Sequence, residues 1–180
     1  MTNPTDQPAP DLRAQIHQAI NQIHAAFKDV DRTNGISWRE ADIIDDHGDE
    51  YQLAAARARD NEKSWTDLLD PQRWPPTDGP RSGWAFLDPI GFRYYLPVAM
   101  IRHLRRQRPG TYDLVWILNR SDKHARTQMS LFTPPQWAAT LAFTLICARI
   151  AQSESSPDTD SSEAIEWLEA HESLSRIAPR

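Results

Sequence analysis

The sequence predicts a mainly α protein: a single compact domain of five to seven helices with a long proline-rich loop. Its 180 residues suit one domain, and apolar residues recur at helical spacing in several segments. Several of these segments also begin with residues that cap helices. Hydrophobic residues make up 39% of the chain and charged residues 25%, which is typical of a globular protein and argues against disorder throughout.

The first helix is predicted after a disordered arm of residues 1–9, which are polar and contain prolines. This helix opens the main helical domain, which we expect to span residues 10–152. Its apolar stripe consists of Leu12, Ile16, Ala19, Ile23 and Phe27.

Two further helices are predicted before the proline-rich stretch. Ser37 and Glu40 form a capping-box pattern, so a second helix should begin at Trp38 and end near Asp46. A third helix is expected over residues 50–67, because alanine is frequent there and has the highest helix propensity.

Residues 70–83 predict a long loop, because prolines and glycines fill this stretch. Proline neither continues a helix nor fits a central strand. Trp74 lies in the middle of the loop. A tryptophan there either pins the loop to the core or contacts a partner.

Proline also marks the next pair of helices. Asp88 and Pro89 are typical N-cap and first-turn residues. We expect a short helix over residues 89–95 and then a kink or break, because Pro97 lacks the N–H group that a helix interior needs. A second helix should run from Pro97 to about Gln107.

The last third of the chain predicts three more helices. Residues 113–118 form a short one, and a capping pattern at Thr133 starts a long helix that ends near Ala151. Residues 153–162 are acidic and rich in serine, which is typical of a linker. Residues 163–180 then carry a final helix and tail, which either dock on the domain or await a partner.

The chain contains seven tryptophans, a high number for its length. Trp74 and Trp167 fall on peripheral segments. The others are expected to anchor the core: Trp38, Trp65, Trp84, Trp116 and Trp137.

The formal net charge of -5 argues against a surface built entirely for nucleic acid. The first residues lack the basic and apolar regions of a signal peptide, and no apolar run reaches the roughly 20 residues that cross a bilayer. The lone Cys147 permits no intrachain disulfide, which suits a reducing compartment. We therefore expect a cytoplasmic protein without a membrane segment.

Residues 29–40 resemble an EF-hand calcium loop, with Asp29, Asp31, Thr33 and Glu40 where that motif has oxygen ligands. An asparagine stands where the motif has its glycine, and no second loop accompanies the first. The alternative is an ordinary helix–loop–helix with a capping box and no cofactor, which we favour.

A dense acidic cluster follows this loop, with Asp45, Asp46 and His47 at its centre. Such residues can hold the divalent metal of a hydrolase or attract a basic partner. The simplest interpretation is the solvated end of a helix, which we favour.

A basic cluster near a predicted helix end consists of Arg102, Arg105, Arg106 and Arg108. Cations at that end stabilise the helix dipole, and they also contact phosphates in nucleic-acid complexes. Only this cluster supports nucleic-acid binding, which therefore remains a second alternative.

The segment Leu-Asp-Pro-Ile-Gly-Phe-Arg-Tyr-Tyr-Leu-Pro, residues 87–97, resembles the signature of an uncharacterised bacterial family of unknown function. Residues 35–46 and 131–136 are also similar to that family, and the resemblance covers about residues 16–150. The resemblance implies a compact helical domain and no particular activity.

Within this motif, Arg93 and Tyr94 have no part in capping or in the expected core. An Arg–Tyr pair can bind a carboxylate or a phosphate. We favour an internal pairing of these two residues with the acidic residues 42–50.

The spacing assembles no complete set of nucleophile, base and orienting residue. Tryptophan, tyrosine and arginine, which anchor interfaces, are plentiful. The sequence therefore favours a non-enzymatic protein that binds another protein in an accessory, regulatory or toxin-neutralising (immunity-type) role, and it leaves the oligomeric state open. The candidate contact residues are Trp74, Arg93, Tyr94, Asp45, Asp46 and His47.

Overall fold

The computed structural model describes residues 11–73, 82–107, 114–155 and 161–179. These residues form helices and no strand, so the predicted mainly α fold is confirmed. They contain one 3-10 helix, Trp65–Leu69, and nine α-helices: α1 (Leu12–Phe27), α2 (Trp38–Asp45), α3 (Glu50–Arg59), α4 (Ser82–Phe86), α5 (Pro89–Leu104), α6 (Leu114–Leu118), α7 (Lys123–Gln128), α8 (Pro134–Glu154) and α9 (Ser162–Ile177). The number exceeds the expected five to seven, and two of the helices, α4 and α7, are short elements of five and six residues that the sequence analysis did not predict.

Helix α5 runs through the centre of the molecule, and twelve of its sixteen residues are buried. It packs against α1, α7 and the 3-10 helix. Helix α8 packs against α1 on one side and α9 on the other, while α2 packs against α3 and α4. Each large apolar side chain buried in this way stabilises the fold by about 1.5–3 kcal/mol.

The motif around Asp88 joins the start of α5 to the loop before α2. Asp88 Oδ1 accepts hydrogen bonds from the N–H groups of Gly91 (2.8 Å) and Ile36 (3.0 Å), which confirms its predicted role as N-cap. The backbone of Gly91 lies so close to the Ile36 carbonyl that a Cβ atom would collide with it. Glycine in the motif therefore permits the close approach of two backbones.

The expected division into two helices at Pro97 is wrong, because α5 is continuous from Pro89 to Leu104. Pro97 deprives the Arg93 carbonyl of its usual helical N–H donor. The residues from Tyr94 to Arg102 are nevertheless all buried, and their packing outweighs the loss of one hydrogen bond.

The third helix also ends earlier than expected. It stops at Arg59, and the 3-10 helix follows as a separate element. The Nε1 group of Trp65 in that element donates a hydrogen bond of 2.8 Å to the Phe27 carbonyl at the end of α1. This contact holds the 3-10 helix against the end of α1.

Helix α9 docks on α8, and this docking corrects the expectation that Trp167 is peripheral. Trp167 is fully buried, with ring centroids 5.4 Å from Phe143 and 5.1 Å from His103. The start of α9 at Ser162 and the end of α8 at Glu154 extend both helices into the predicted linker of residues 153–162.

Of the five tryptophans expected in the core, Trp116 is the exception, with 49% of its surface exposed. Helix α6 is so short that it buries only one face, through Leu114, Ile117 and Leu118. The opposite face carries Trp116, whose ring lies 5.5 Å from the guanidinium carbon of Arg120. The remaining predicted anchors are buried: Trp38, Trp65, Trp84 and Trp137.

Three predicted segments lie partly or wholly outside the described residues. These are the arm of residues 1–9, the centre of the proline-rich loop with Trp74, and residues 156–160 of the linker. Within the described helices, none combines the length and the apolar character that a bilayer crossing requires.

Candidate functional site

The turn between α2 and α3 forms an exposed acidic surface, which we call the acidic turn (residues 45–51). It contains four carboxylates within six positions, from Asp45 to Glu50, and ends with Tyr51. Asp46, His47 and Glu50 are exposed, and the Tyr51 side chain is 83% exposed. The predicted contact residues Asp45, Asp46 and His47 thus lie together at the surface, beside an aromatic residue that the sequence reasoning did not select.

Local hydrogen bonds give the acidic turn its shape. His47 adopts a left-handed conformation (φ 57°), which is unfavourable for a residue with a side chain. The Gly48 N–H donates to the Ile43 carbonyl at 2.9 Å and thereby closes the end of α2. The next helix begins with a capping box, in which Asp49 and Gln52 each accept a 2.8 Å hydrogen bond from the other's backbone N–H.

The carboxylates of the acidic turn differ in their structural roles. Asp49 caps α3, and Glu50 in the first turn of α3 complements the helix dipole. Asp45 and Asp46, in contrast, lie at the carboxyl end of a helix, α2, where negative charge is unfavourable. No ion pair of either residue is found among the described residues. Their charge has no structural use in the described part of the chain.

The pKa of Asp42 reflects the negative charge of this region. Burial raises the pKa of Asp42 to about 6, and the charges of Asp60, Asp46 and Asp45 add to that increase. Its carboxylate faces α4, since a Cβ atom at Gly83 would lie 3.2 Å from Asp42 Oδ1. The chain has no lysine or arginine between residues 40 and 56 to offset these charges.

A second group of charges, the Asp60–Glu62 network, lies at the other end of α3 and is largely buried. Asp60 accepts hydrogen bonds from the backbone N–H (2.8 Å) and the guanidinium of Arg39. Arg32 Nε lies 3.4 Å from Glu62, and Arg32 Nη2 donates to the Asp60 carbonyl at 2.6 Å. The Tyr95 hydroxyl donates to Glu62 at 3.1 Å and accepts from the Trp38 N–H.

The sequence reasoning did not select Asp60, Glu62, Arg32 or Tyr95. Their hydrogen bonds join residues that are 21 to 57 positions apart in the chain, so no short spacing pattern connects them. A pair of acidic residues directly after an arginine-rich helix end was the available signal, and it is weak.

Arg93 and Tyr94 do not act as a pair, and their expected pairing with residues 42–50 is wrong. Arg93 Nη1 donates to the Leu131 carbonyl at 2.9 Å. Tyr94 is buried, and its ring lies 5.9 Å from the guanidinium carbon of Arg32. Adjacent residues on a helix project in different directions, which separates these two side chains.

The residues of the EF-hand-like loop are engaged locally. Asp29 lies 3.7 Å from Lys28, and Asp31 accepts a hydrogen bond from the Thr33 N–H at 3.1 Å. Glu40 completes the predicted capping box by accepting from the Ser37 N–H at 3.0 Å, and it also pairs with Arg57 at 2.9 Å. In the part of the chain that the structure describes, no three His, Cys, Asp or Glu side chains are grouped to hold a metal ion.

The predicted basic cluster is not one exposed patch. Arg102 is only 3% exposed, and burial lowers the pKa of its guanidinium group. Arg105 and Arg106 are exposed, and Arg106 forms an ion pair with Glu154 of α8. Arg108 lies outside the described residues. The buried position of Arg102 follows from its place on the all-round apolar helix α5.

The model of one protein family, described as Family of unknown function (DUF6714), matches residues 15–171. No curated protein and no solved structure matches the chain.

Proposed function

Because the chain belongs to the DUF6714 family of unknown function, we propose its role from its own residues: it is a non-enzymatic domain that binds a basic surface of another protein through the acidic turn. The observation that carries this proposal is the 83% exposure of Tyr51 beside Asp45 and Asp46, for which no ion pair is found among the described residues. Tyrosine combines a large apolar ring with a polar hydroxyl, and it is enriched among the residues that dominate binding energy.

The carboxylates supply the second part of the interaction. A surface of one charge sign accelerates the encounter with an oppositely charged partner and orients it. Asp45 and Asp46 are available for this, since they do not stabilise the helix on which they stand. The capped start of α3 holds the turn in place, so little conformational entropy is lost when a partner binds.

The accessory, regulatory and toxin-neutralising roles all require such a contact surface, and the immunity-type role is one form of this proposal. We place the interaction in the cytoplasm, because Cys147 is a buried free thiol that suits a reducing compartment. The partner's chemistry is a cluster of lysine or arginine side chains around an apolar depression that accepts the Tyr51 ring.

Site-specific photo-crosslinking tests the location of the interface. A photoreactive phenylalanine analogue replaces Tyr51 in the full chain, and in a second protein it replaces Ile165, which is 48% exposed on α9. In cells that produce the protein naturally, we expect one discrete crosslinked species from position 51 and none from position 165. Equal crosslinking at both positions, or none at position 51, would contradict the proposal.

A purified complex with the crosslinked partner then tests the electrostatic part. Asp46→Asn should slow association and reduce its dependence on salt, because one exposed carboxylate no longer attracts the partner. Glu166→Gln removes one exposed carboxylate from α9 and serves as the matched control. An association rate that is insensitive to salt, or equally affected by both substitutions, is incompatible with an acidic binding surface.

A further inference from the structure

A pocket of about 210 Å³ opens where the end of α3 meets the 3-10 helix. Arg39, Arg59 and Arg73 line it together with the acidic residues Asp60 and Glu62. It lies at the opposite end of α3 from the acidic turn, on the order of 15 Å away along a helix of ten residues. The pocket is therefore separate from the surface that we propose for protein binding.

The acidic residues of this pocket are buried and neutralised. The side chains of Asp60 and Glu62 are only 2% and 5% exposed. Arg39 pairs with Asp60 and Arg32 with Glu62, and the Tyr95 hydroxyl donates a further hydrogen bond to Glu62. Their negative charge is consequently satisfied from within the fold.

The cationic residues of the pocket face solvent instead. Arg59 is exposed at the end of α3, and no partner for its guanidinium is found among the described residues. The Arg73 side chain is 59% exposed, and its contact with Asp67 is a long one of 3.5 Å. A ligand that enters the pocket thus meets positive charge first, although the protein as a whole is acidic.

We propose that this pocket binds a phosphate-class oxyanion, either inorganic phosphate or a small phosphomonoester, through the guanidinium groups of Arg59 and Arg73. The planar guanidinium fork matches the oxygens of a phosphate and forms two parallel hydrogen bonds with them. The volume of about 210 Å³ accommodates a compact group of this kind. The buried carboxylates below hold Arg39 in place and limit how deeply the anion enters.

Thermal unfolding of the full chain tests the ligand. Inorganic phosphate and O-phosphoserine are titrated separately at pH 7.5, with sodium chloride keeping the ionic strength constant. A ligand that binds the folded state raises the melting temperature in a saturable way. We expect such a rise with at least one of the two compounds, and the tighter of the two identifies the free ion or the monoester as the preferred form. A rise no larger than that produced by chloride alone would overturn the proposal.

Two substitutions locate the site. Arg59→Gln should weaken binding about tenfold, the equivalent of one charge-assisted hydrogen bond, and Arg73→Gln should act in the same direction. Arg13→Gln removes an exposed arginine from α1 and should leave the affinity unchanged. Circular dichroism confirms that each variant is folded. If both pocket variants bind phosphate as tightly as Arg13→Gln, the anion binds elsewhere and the assignment of this pocket is wrong.

Discussion

The carboxyl group of Asp42 links the charge of the acidic turn to the stability of the fold. Its pKa is raised from 3.8 to about 6 in the folded protein, first by burial and then by Asp60, Asp46 and Asp45. The folded state therefore binds a proton more tightly than the unfolded state. By linkage, this group favours folding most below about pH 4, and its contribution declines as the pH rises towards 6.

Asp42→Asn should remove that decline, because an amide remains uncharged at every pH. The unfolding free energy of the variant, relative to wild type, is expected to increase from pH 4 to pH 6 and then to level off. Urea titrations at a series of pH values measure this difference, with Glu166→Gln as a control on α9. A difference that does not change across this range would show that Asp42 titrates normally in the folded state.

The Tyr95 hydroxyl contributes more hydrogen bonds to the fold than the hydroxyl of the adjacent Tyr94. It accepts from the Trp38 N–H at 3.1 Å and donates to Glu62 at 3.1 Å. Tyr95→Phe leaves both buried groups without this partner, so we expect a loss of about 1–3 kcal/mol in unfolding free energy. No hydrogen bond of the Tyr94 hydroxyl is found among the described residues, so Tyr94→Phe should stay within about 0.5 kcal/mol of wild type. Chemical denaturation compares the two variants, and equal losses would contradict the network around Glu62.

At the scale of helices and loops, the beginnings of the helices were predictable because caps are local. Ser37 bonds with Glu40, and Asp88 bonds with Gly91, each three residues further along the chain, and both predicted starts are confirmed. The end of α3 was not predictable, because Asp60 follows the last helical residue and its partner Arg39 lies 21 residues away. Alanine-rich sequence indicates helix but contains no information about such a distant partner.

The acidic turn could be predicted in part for the same reason. Its carboxylates are adjacent in the chain, and the sequence placed them at a helix end. The exposure of Tyr51 depends on which face of α3 turns away from α2, and that is a property of helix packing. The burial of Trp167 and the exposure of Trp116 likewise depend on how neighbouring helices pack. For Trp116 the sequence gives no guide, because α6 has too few residues for the spacing of its apolar side chains to show which face is buried.

Helix α9 provides a direct test of helix docking. Trp167 is 1% exposed and contacts Phe143 of α8, whereas the adjacent Leu168 is 48% exposed. Trp167→Ala should lower the unfolding free energy by about 3–5 kcal/mol, because it leaves a cavity between the two helices. Leu168→Ala should cost less than about 1 kcal/mol by the same measurement, since its side chain is half exposed. Similar losses for both would mean that α9 does not pack on α8 as described.

At the scale of the whole molecule, one apolar core connects elements from both ends of the chain. It includes Ile23 and Phe27 of α1, the centre of α5, and Trp167 and Leu174 of α9. The sequence suggested a separate C-terminal helix after a linker, because the acidic, serine-rich residues before it contain no sign of docking. The shared core instead indicates that α9 is part of the domain.

A shared core predicts that the whole domain unfolds in one cooperative transition. Far-UV circular dichroism reports all helices, and the fluorescence lost in Trp167→Phe reports α9 specifically. In guanidinium titrations, the Trp167 signal is obtained by subtracting the fluorescence of the variant from that of wild type. This signal and the circular dichroism signal of wild type should give the same midpoint and the same slope. If the Trp167 signal changes at a lower denaturant concentration than the helix signal, α9 opens independently of the domain. That outcome would make the buried face of α9, with Trp167 and Leu174, a surface available to partners. Comparison of the two unfolding midpoints therefore decides whether the C-terminal helix stabilises the fold or is released from it.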